Sequence, residues 1–256
     1  FHAGMVEKIG GWDTLLASAL TGVCRGAHSW RDDSETRYIA FGTDKKLTRY
    51  EGGVLDNMTP IRRTASLTGP FSVTSGSTTV TVTDVGHGAA TGDYVEISGA
   101  SAVGGITPSG NYLITMVNSD TYTITHSSSA ASTTTGGGSV TAKYEISSGL
   151  VDSYGAYGYG VGAYGAESYG NARTFSVTLN ARTWDLDNDG EDLIAHPRGG
   201  NVYAWSPGDD RAAILTNAPT GNTGFFITEE GAIVVLGPDG NKMGIAWCDI
   251  DDRTVW

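Results

Sequence analysis

Positive charge is scarce in this chain: 16 Lys and Arg stand against 28 Asp and Glu, a formal net charge of −12. That deficit excludes a sequence-independent nucleic-acid binder, which needs cations to displace the counterions of phosphates. It suits a soluble surface. Cysteine is scarcer still, with only Cys24 and Cys248. No CxxC or Cys/His spacing points to zinc. The two are expected as buried free thiols, a disulfide between them being the alternative. No apolar run approaches the ~20 residues of a membrane-spanning helix. No long segment carries a helical hydrophobic period. Charged residues make up 17% of the chain, below the roughly 25% of ordinary soluble domains.

Glycine, by contrast, is abundant at 37 residues. Short runs of Val, Ile, Thr and Tyr alternate with Gly, Asp, Asn and Pro, the pattern of an all-β protein with many turns. The 256 residues suffice for one large domain or two ordinary ones.

Three segments resemble one another. "YIAFGTDKKLTRYEGG" (Tyr38–Gly53) and "LIAHPRGGNVYAWSPG" (Leu193–Gly208) share Ile-Ala near the start, an aromatic near the end and a final glycine. "IVVLGPDGNKMGIAWCD" (Ile233–Asp249) repeats the plan with a longer turn. Each reads as a β-hairpin. An aromatic strand precedes each one, at Trp30, Trp184 and Phe225, and Trp184 to Phe225 is 41 residues. A period of about 40–45 residues with several strands per unit marks the blades of a β-propeller. A β-sandwich with chance likeness between hairpins is the competing fold. Trp30, Trp184, Trp205 and Trp247 are expected as wedges between blades; stacking on sugars is the alternative.

Between the first two units the composition changes. Thr64–Gly149 holds six charged residues and a series of period-2 runs: Thr78–Val85, Asp93–Ala100, Tyr112–Val117, Thr121–His126 and Ser139–Ile146. Such alternation means one buried and one wet face per strand. The expected organisation is therefore a propeller over 1–63 and 150–256, interrupted by a small β-sandwich or barrel over 64–149. Removing that insertion leaves about 170 residues, roughly four blades, fewer than a closed ring usually has. The chain is accordingly expected to continue beyond Trp256.

Little catalytic chemistry is legible. "DLDNDGEDL" (Asp185–Leu193) places Asp185, Asp187 and Asp189 at alternate positions before Gly190, as in the first half of a calcium loop. The twelfth position is His196 rather than glutamate, so an Asp/Asn/Gly turn is the preferred reading and no metal is assigned. Carboxylate pairs such as Asp32/Asp33 and Asp209/Asp210 sit in turn-like sequence, where a glycosidase would need two flanking one cleft. The Ser29–Tyr38 stretch only faintly resembles the aspartate-box turn of sialidases. His28, His87, His126 and His196 show no ligand spacing. No nucleophile elbow or phosphate loop appears. No cofactor and no enzyme activity are expected.

Outside the insertion, several motifs in series resemble the tail nozzle, or hub, protein of short-tailed bacteriophages. They are "KIGGW" (Lys8–Trp12), Trp30–Gly53 followed by "DNMTPIR" (Asp56–Arg62), "YGAYGYGVGAYG" (Tyr154–Gly165), "TWDLDNDGEDLIA" (Thr183–Ala195), "YAWSPG" (Tyr203–Gly208), Asn217–Gly237 and "WCDIDDRTVW" (Trp247–Trp256). The insertion, with "GHGAATGDYVEISGA" (Gly86–Ala100), is similar to a small β-domain recurring in phage virion proteins. It is also a departure, since many nozzle-like sequences pass from the Thr-Pro-Ile-Arg segment to the Tyr/Gly run with little between. The resemblance implies a virion protein of the phage tail. It would form a homo-hexameric ring joined to a head-to-tail adaptor, carrying fibres or spikes and passing viral DNA without specific binding. Within the Tyr/Gly run, Tyr154, Tyr157, Tyr159, Tyr164 and Tyr169 are then candidates for a subunit interface, because tyrosine adds contact area at low entropic cost. Two alternatives stay open: a receptor- or glycan-binding appendage, and a propeller hydrolase.

Overall fold

The computed structural model describes Leu16, residues 18–149 and residues 182–256. Every regular element among them is a β-strand except one short 3-10 turn at Pro238–Gly240. The first sheet is an antiparallel meander of β1 (Cys24–Arg31), β2 (Arg37–Thr43), β3 (Leu47–Glu51) and β4 (Val54–Asn57).

The chain then leaves this sheet for nine strands of a different unit. These are β5 (Ile61–Thr68), β6 (Phe71–Val73), β7 (Thr79–Thr83), β8 (Tyr94–Ser98), β9 (Gly110–Leu113), β10 (Thr115–Met116), β11 (Thr121–Thr125), β12 (Thr134–Gly136) and β13 (Ser139–Glu145). They form two sheets, ordered β10-β11-β7-β6-β12 and β5-β13-β8-β9. Alternate residues of both turn inward onto one core, including Phe71, Val80, Val82, Val95, Ile97, Tyr122, Ile124 and Tyr144. The sheets do not close into a barrel, so of the two expected forms the insertion is the sandwich. The run Tyr112–Val117 is not one strand: it breaks at buried Ile114, and its halves join opposite sheets. The module enters on β5, which spans position 64, and leaves on β13, its antiparallel partner.

Two further meanders follow: β14 (Trp184–Asp189), β15 (Asp192–Pro197), β16 (Tyr203–Trp205) and β17 (Ala213–Ile214), then β18 (Gly224–Ile227), β19 (Ile233–Leu236) and β20 (Ile245–Trp247). The leading strand β14 lies against β1 on one side and β18 on the other. Leading strands side by side, with the sheets fanning outward, are the stacking of propeller blades. The protein is an all-β propeller, three blades of which fall among the described residues, with the sandwich inserted after the first.

Aromatic wedges hold the first two blades together. Trp30 stacks on Tyr38 at 5.2 Å, and Trp205 meets both edge-on at 6.0 and 5.5 Å. Each buried indole N–H finds a carbonyl: Trp30 on Glu191, Trp184 on Thr43, Trp205 on Asp209. Trp184 lies across the paired glycines Gly26 and Gly42. A Cβ on Gly42 would stand 2.2 Å from the indole, so only glycine permits this approach.

Three expectations need correction. Trp184 and Phe225 do not occupy the place of Trp30. Trp30 pairs with Tyr38 at the end of β1, whereas Trp184 pairs with Pro197 at the start of β14, and Phe225 pairs with Val235. Sequence spacing counts turn residues, and the β1–β2 turn takes five where the β14–β15 turn takes two. Trp247 is not a wedge among the described residues: it is 64% exposed on β20. The cysteines are both free, but only Cys248 is buried; Cys24 is exposed at the start of β1, where the register shifts.

Candidate functional site

The Tyr/Gly run with Tyr154, Tyr157, Tyr159, Tyr164 and Tyr169 lies outside the described residues. The acidic stretch does not. Asp185, Asp187 and Asp189 stand on strand β14 rather than in a loop; the turn is confined to Gly190 and Glu191. Asp185 and Asp189 approach the third blade, at Gly224 and Gly231, whereas Asp187 has His28 of the first blade within reach.

Each carboxylate faces a different basic group. Asp185 lies 3.6 Å from His196 Nδ1, Asp187 3.9 Å from His28 Nε2, and Asp189 3.6 Å from Arg253 Nε. Arg253 also donates to Asp192 at 2.5 Å. The row is thus stretched along the strand with its partners divided. Among the described residues no group of three or more His, Cys, Asp or Glu converges as a metal site. A cleft of about 340 Å³ opens beside Asp185, Asp187 and Trp184 at the leading edge of the blades.

A second cleft, about 570 Å³, lies where the sandwich meets the propeller, between Arg49, Asp56, Glu96, Asn111 and Arg211. Its floor is a buried ion cluster. Glu145, at the end of β13, is fully buried. It accepts from Lys46 Nζ at 2.6 Å, Asn57 Nδ2 at 2.8 Å, Asn111 Nδ2 at 2.7 Å and Arg211 Nη1 at 3.1 Å. Lys46 and Asn57 come from the first blade, Asn111 from the sandwich and Arg211 from the second blade. Arg211 also donates to Glu96 of β8 and to the Thr59 carbonyl. Burial pushes the Lys46 ammonium below its ordinary value, opposed by the attraction of Glu145.

This geometry decides what the cluster can do. Glu145 receives four donors, three on Oε1 (Asn57, Asn111 and Arg211) and Lys46 on Oε2. It is fully buried beneath these partners, so it serves the clamp rather than facing the cleft. Arg211 is spread over two carboxylates and a carbonyl, so it is not poised for an incoming anion. The cluster clamps three parts of the chain in one orientation.

Inside the sandwich a second buried network does comparable work. Arg63 grips Asp84 with two nitrogens at 2.6 and 3.0 Å, and Tyr144 donates to Asp84 at 2.5 Å. Burial alone would raise the Asp84 carboxyl; the Arg63 and Tyr144 hydrogen bonds outweigh it and hold Asp84 below its ordinary value. Burial pushes the Tyr122 phenol up to about 12 and the Tyr144 phenol higher. Both phenols stay protonated, and Tyr144 is the donor to Asp84.

The sequence reading missed the junction cluster. A signal was present: of the six charges in Thr64–Gly149, Glu96, Lys143 and Glu145 fall on the non-core face of two strands that prove to be neighbours.

No family model matches this chain, and no curated protein does. Among solved structures it is similar to a chain described as "Phage phi92 endosialidase", at 18% identity and a TM-score of 0.29. The match covers 84% of this chain and 39% of that one, so the chain spans well under half the length of the structure it matches.

Proposed function

We propose that this chain is a structural, non-catalytic component of a bacteriophage tail, of the nozzle or hub type. It would form a homo-hexameric ring joined to a head-to-tail adaptor, bearing fibres or spikes and passing viral DNA on ejection. The nozzle-like motif series supports the identity. The single structural observation that carries the mechanical reading is the Glu145 cluster. Blades and sandwich are joined by a buried carboxylate with four internal donors, the construction of a rigid block rather than a reactive site. Rigid blocks suit cyclic assembly through one repeated contact. A net charge of −12 would keep a polyanion from adhering.

The test is to image purified virions of the source phage with a label on the sandwich. Six labels around the tail axis support the nozzle reading; labels absent from tails refute it. A second reading, a receptor- or glycan-binding appendage, has one favouring observation. Val85 and Val117 are 75% and 59% exposed on adjoining loops of the sandwich. Labels at fibre tips, or host-cell binding by the free chain, would select that reading.

A further inference from the structure

A third cavity, of about 250 Å³, lies where the sandwich joins the first blade. Three stretches of chain border it: the β2–β3 turn with Asp44 and Lys45, the approach to β8 with Thr91 and Asp93, and the exit from β13 with Ser148.

Asp44 is 1% exposed. Its Oδ1 accepts the Val23 amide at 2.5 Å, whereas its buried Oδ2 has no hydrogen-bond partner. The neighbouring ammonium groups do not answer it. Lys46 is spent on Glu145 and Asn111, at 2.6 and 2.7 Å. Lys45 borders the cavity without donating to that oxygen. Ser148 is 3% exposed, and its Oγ is likewise buried and unpartnered. Asp93 accepts the Ala90 amide through Oδ2 at 2.9 Å, with Arg62 4.0 Å from the same oxygen. A buried carboxylate oxygen with neither donor nor counter-charge is strongly unfavourable. Two unpartnered oxygens on one cavity, one of them from a carboxylate, point to a ligand that brings positive charge.

We propose that this cavity binds a calcium ion, with Asp44 Oδ2 as the leading ligand, Asp93 and Ser148 beside it and water completing the shell. The bordering side chains offer a metal oxygen alone, with no His or Cys among them, which selects a hard cation. Calcium accepts an irregular set of oxygens, whereas magnesium demands a near-ideal octahedron. With only two carboxylates the affinity should be weak, a Kd of about 10⁻⁴–10⁻³ M. The calcium-like stretch Asp185–Asp189 takes no part, since it lies on β14 of the second blade. The ion would tie the first blade to the sandwich and to its exit strand at a point that the Glu145 cluster does not cover. The inference concerns this chain alone and is independent of the tail reading.

The experiment is thermal unfolding of the 256-residue chain, stripped with a chelator and titrated with calcium chloride, with magnesium chloride as the control. Calcium at about 10 mM should raise Tm by about 3 °C or more, and magnesium should do much less. Asp44→Asn keeps an acceptor for the Val23 amide and should abolish the calcium response. Ser148→Ala removes an oxygen with no protein partner and should weaken calcium binding, read by calorimetry, about tenfold. Asp187→Asn should leave the response unchanged. A wild-type chain indifferent to calcium overturns the proposal. So does an equal shift from magnesium, or a calcium response that survives D44N. Should D44N fail to fold, S148A decides, and an unchanged calcium affinity there overturns the proposal.

Discussion

The inserted sandwich and the propeller blades solve the same problem of half-buried strands in opposite ways. The sandwich turns both of its inner faces onto one core and needs no neighbour. A blade has two faces, and each must find another sheet: the aromatic cluster belongs jointly to blades one and two, the Ile233–Val235 cluster jointly to blades two and three. Stability in the sandwich is therefore internal, whereas stability in the blades resides in seams. The Glu145 cluster joins these two regimes.

Breaking that join should have the largest effect. Glu145→Ala leaves Lys46 buried without its counter-charge and Arg211 with Glu96 alone, and we expect a loss of about 3–5 kcal/mol in urea unfolding. The double change K46M/E145L should recover most of it, since a buried ion pair is readily replaced by apolar packing. If the sandwich is self-sufficient, E145A should also split unfolding into two transitions, with the sandwich retaining its own midpoint.

Overpacking a seam comes next. Gly42→Ala forces a methyl into the Trp184 ring and should cost about 1–3 kcal/mol. Hydrogen exchange should accelerate in β1, β2 and β14 while β7 and β11 keep their protection. Uniform acceleration would mean that the two regions are one cooperative unit.

Acid should act on the sandwich by a defined route. The Asp84 carboxyl is held below its ordinary value in the fold, so its contribution is complete above about pH 4 and is lost as pH falls through the lower native value. Asp84→Asn should flatten the acid limb of sandwich unfolding, read from Tyr122 and Tyr144 side-chain resonances. The smallest effect is expected at the Arg31–Glu35 pair, whose side chains are 57% and 77% exposed. Arg31→Ala should change monomer stability by about 0–1 kcal/mol.

The sandwich was the more legible region. Its core comes from period-2 runs such as Thr78–Val85 and Ser139–Ile146, where alternation alone assigns the inward residues. The hairpins of the blades were legible for the same reason. The relative height of their aromatics was not, because turn lengths of five and two residues look alike when only spacing is counted. The stretch Asp185–Asp189 reads as turn chemistry by composition, yet pairs with Asp192–His196 as a strand, since its acids face a seam edge and find His28, His196 and Arg253. Those partners lie up to 159 positions away in sequence, between His28 and Asp187, and no local pattern announces them. The same holds for Lys46 and Glu145, which meet across 99 positions.

The sandwich departs from the host and returns to it at one doorway, with Ile61 paired to Glu145 and the Ile146 amide bonded to the Pro60 carbonyl. A graft at such a doorway makes no demand on loop length, and a lineage could trade this module for another of any size. Yet the threshold residue Glu145 is also the counter-ion of Lys46 and Arg211. A cargo arriving without an acid at that spot would strand two cations in the wall. Exchange of the module is therefore open in shape but restricted in charge.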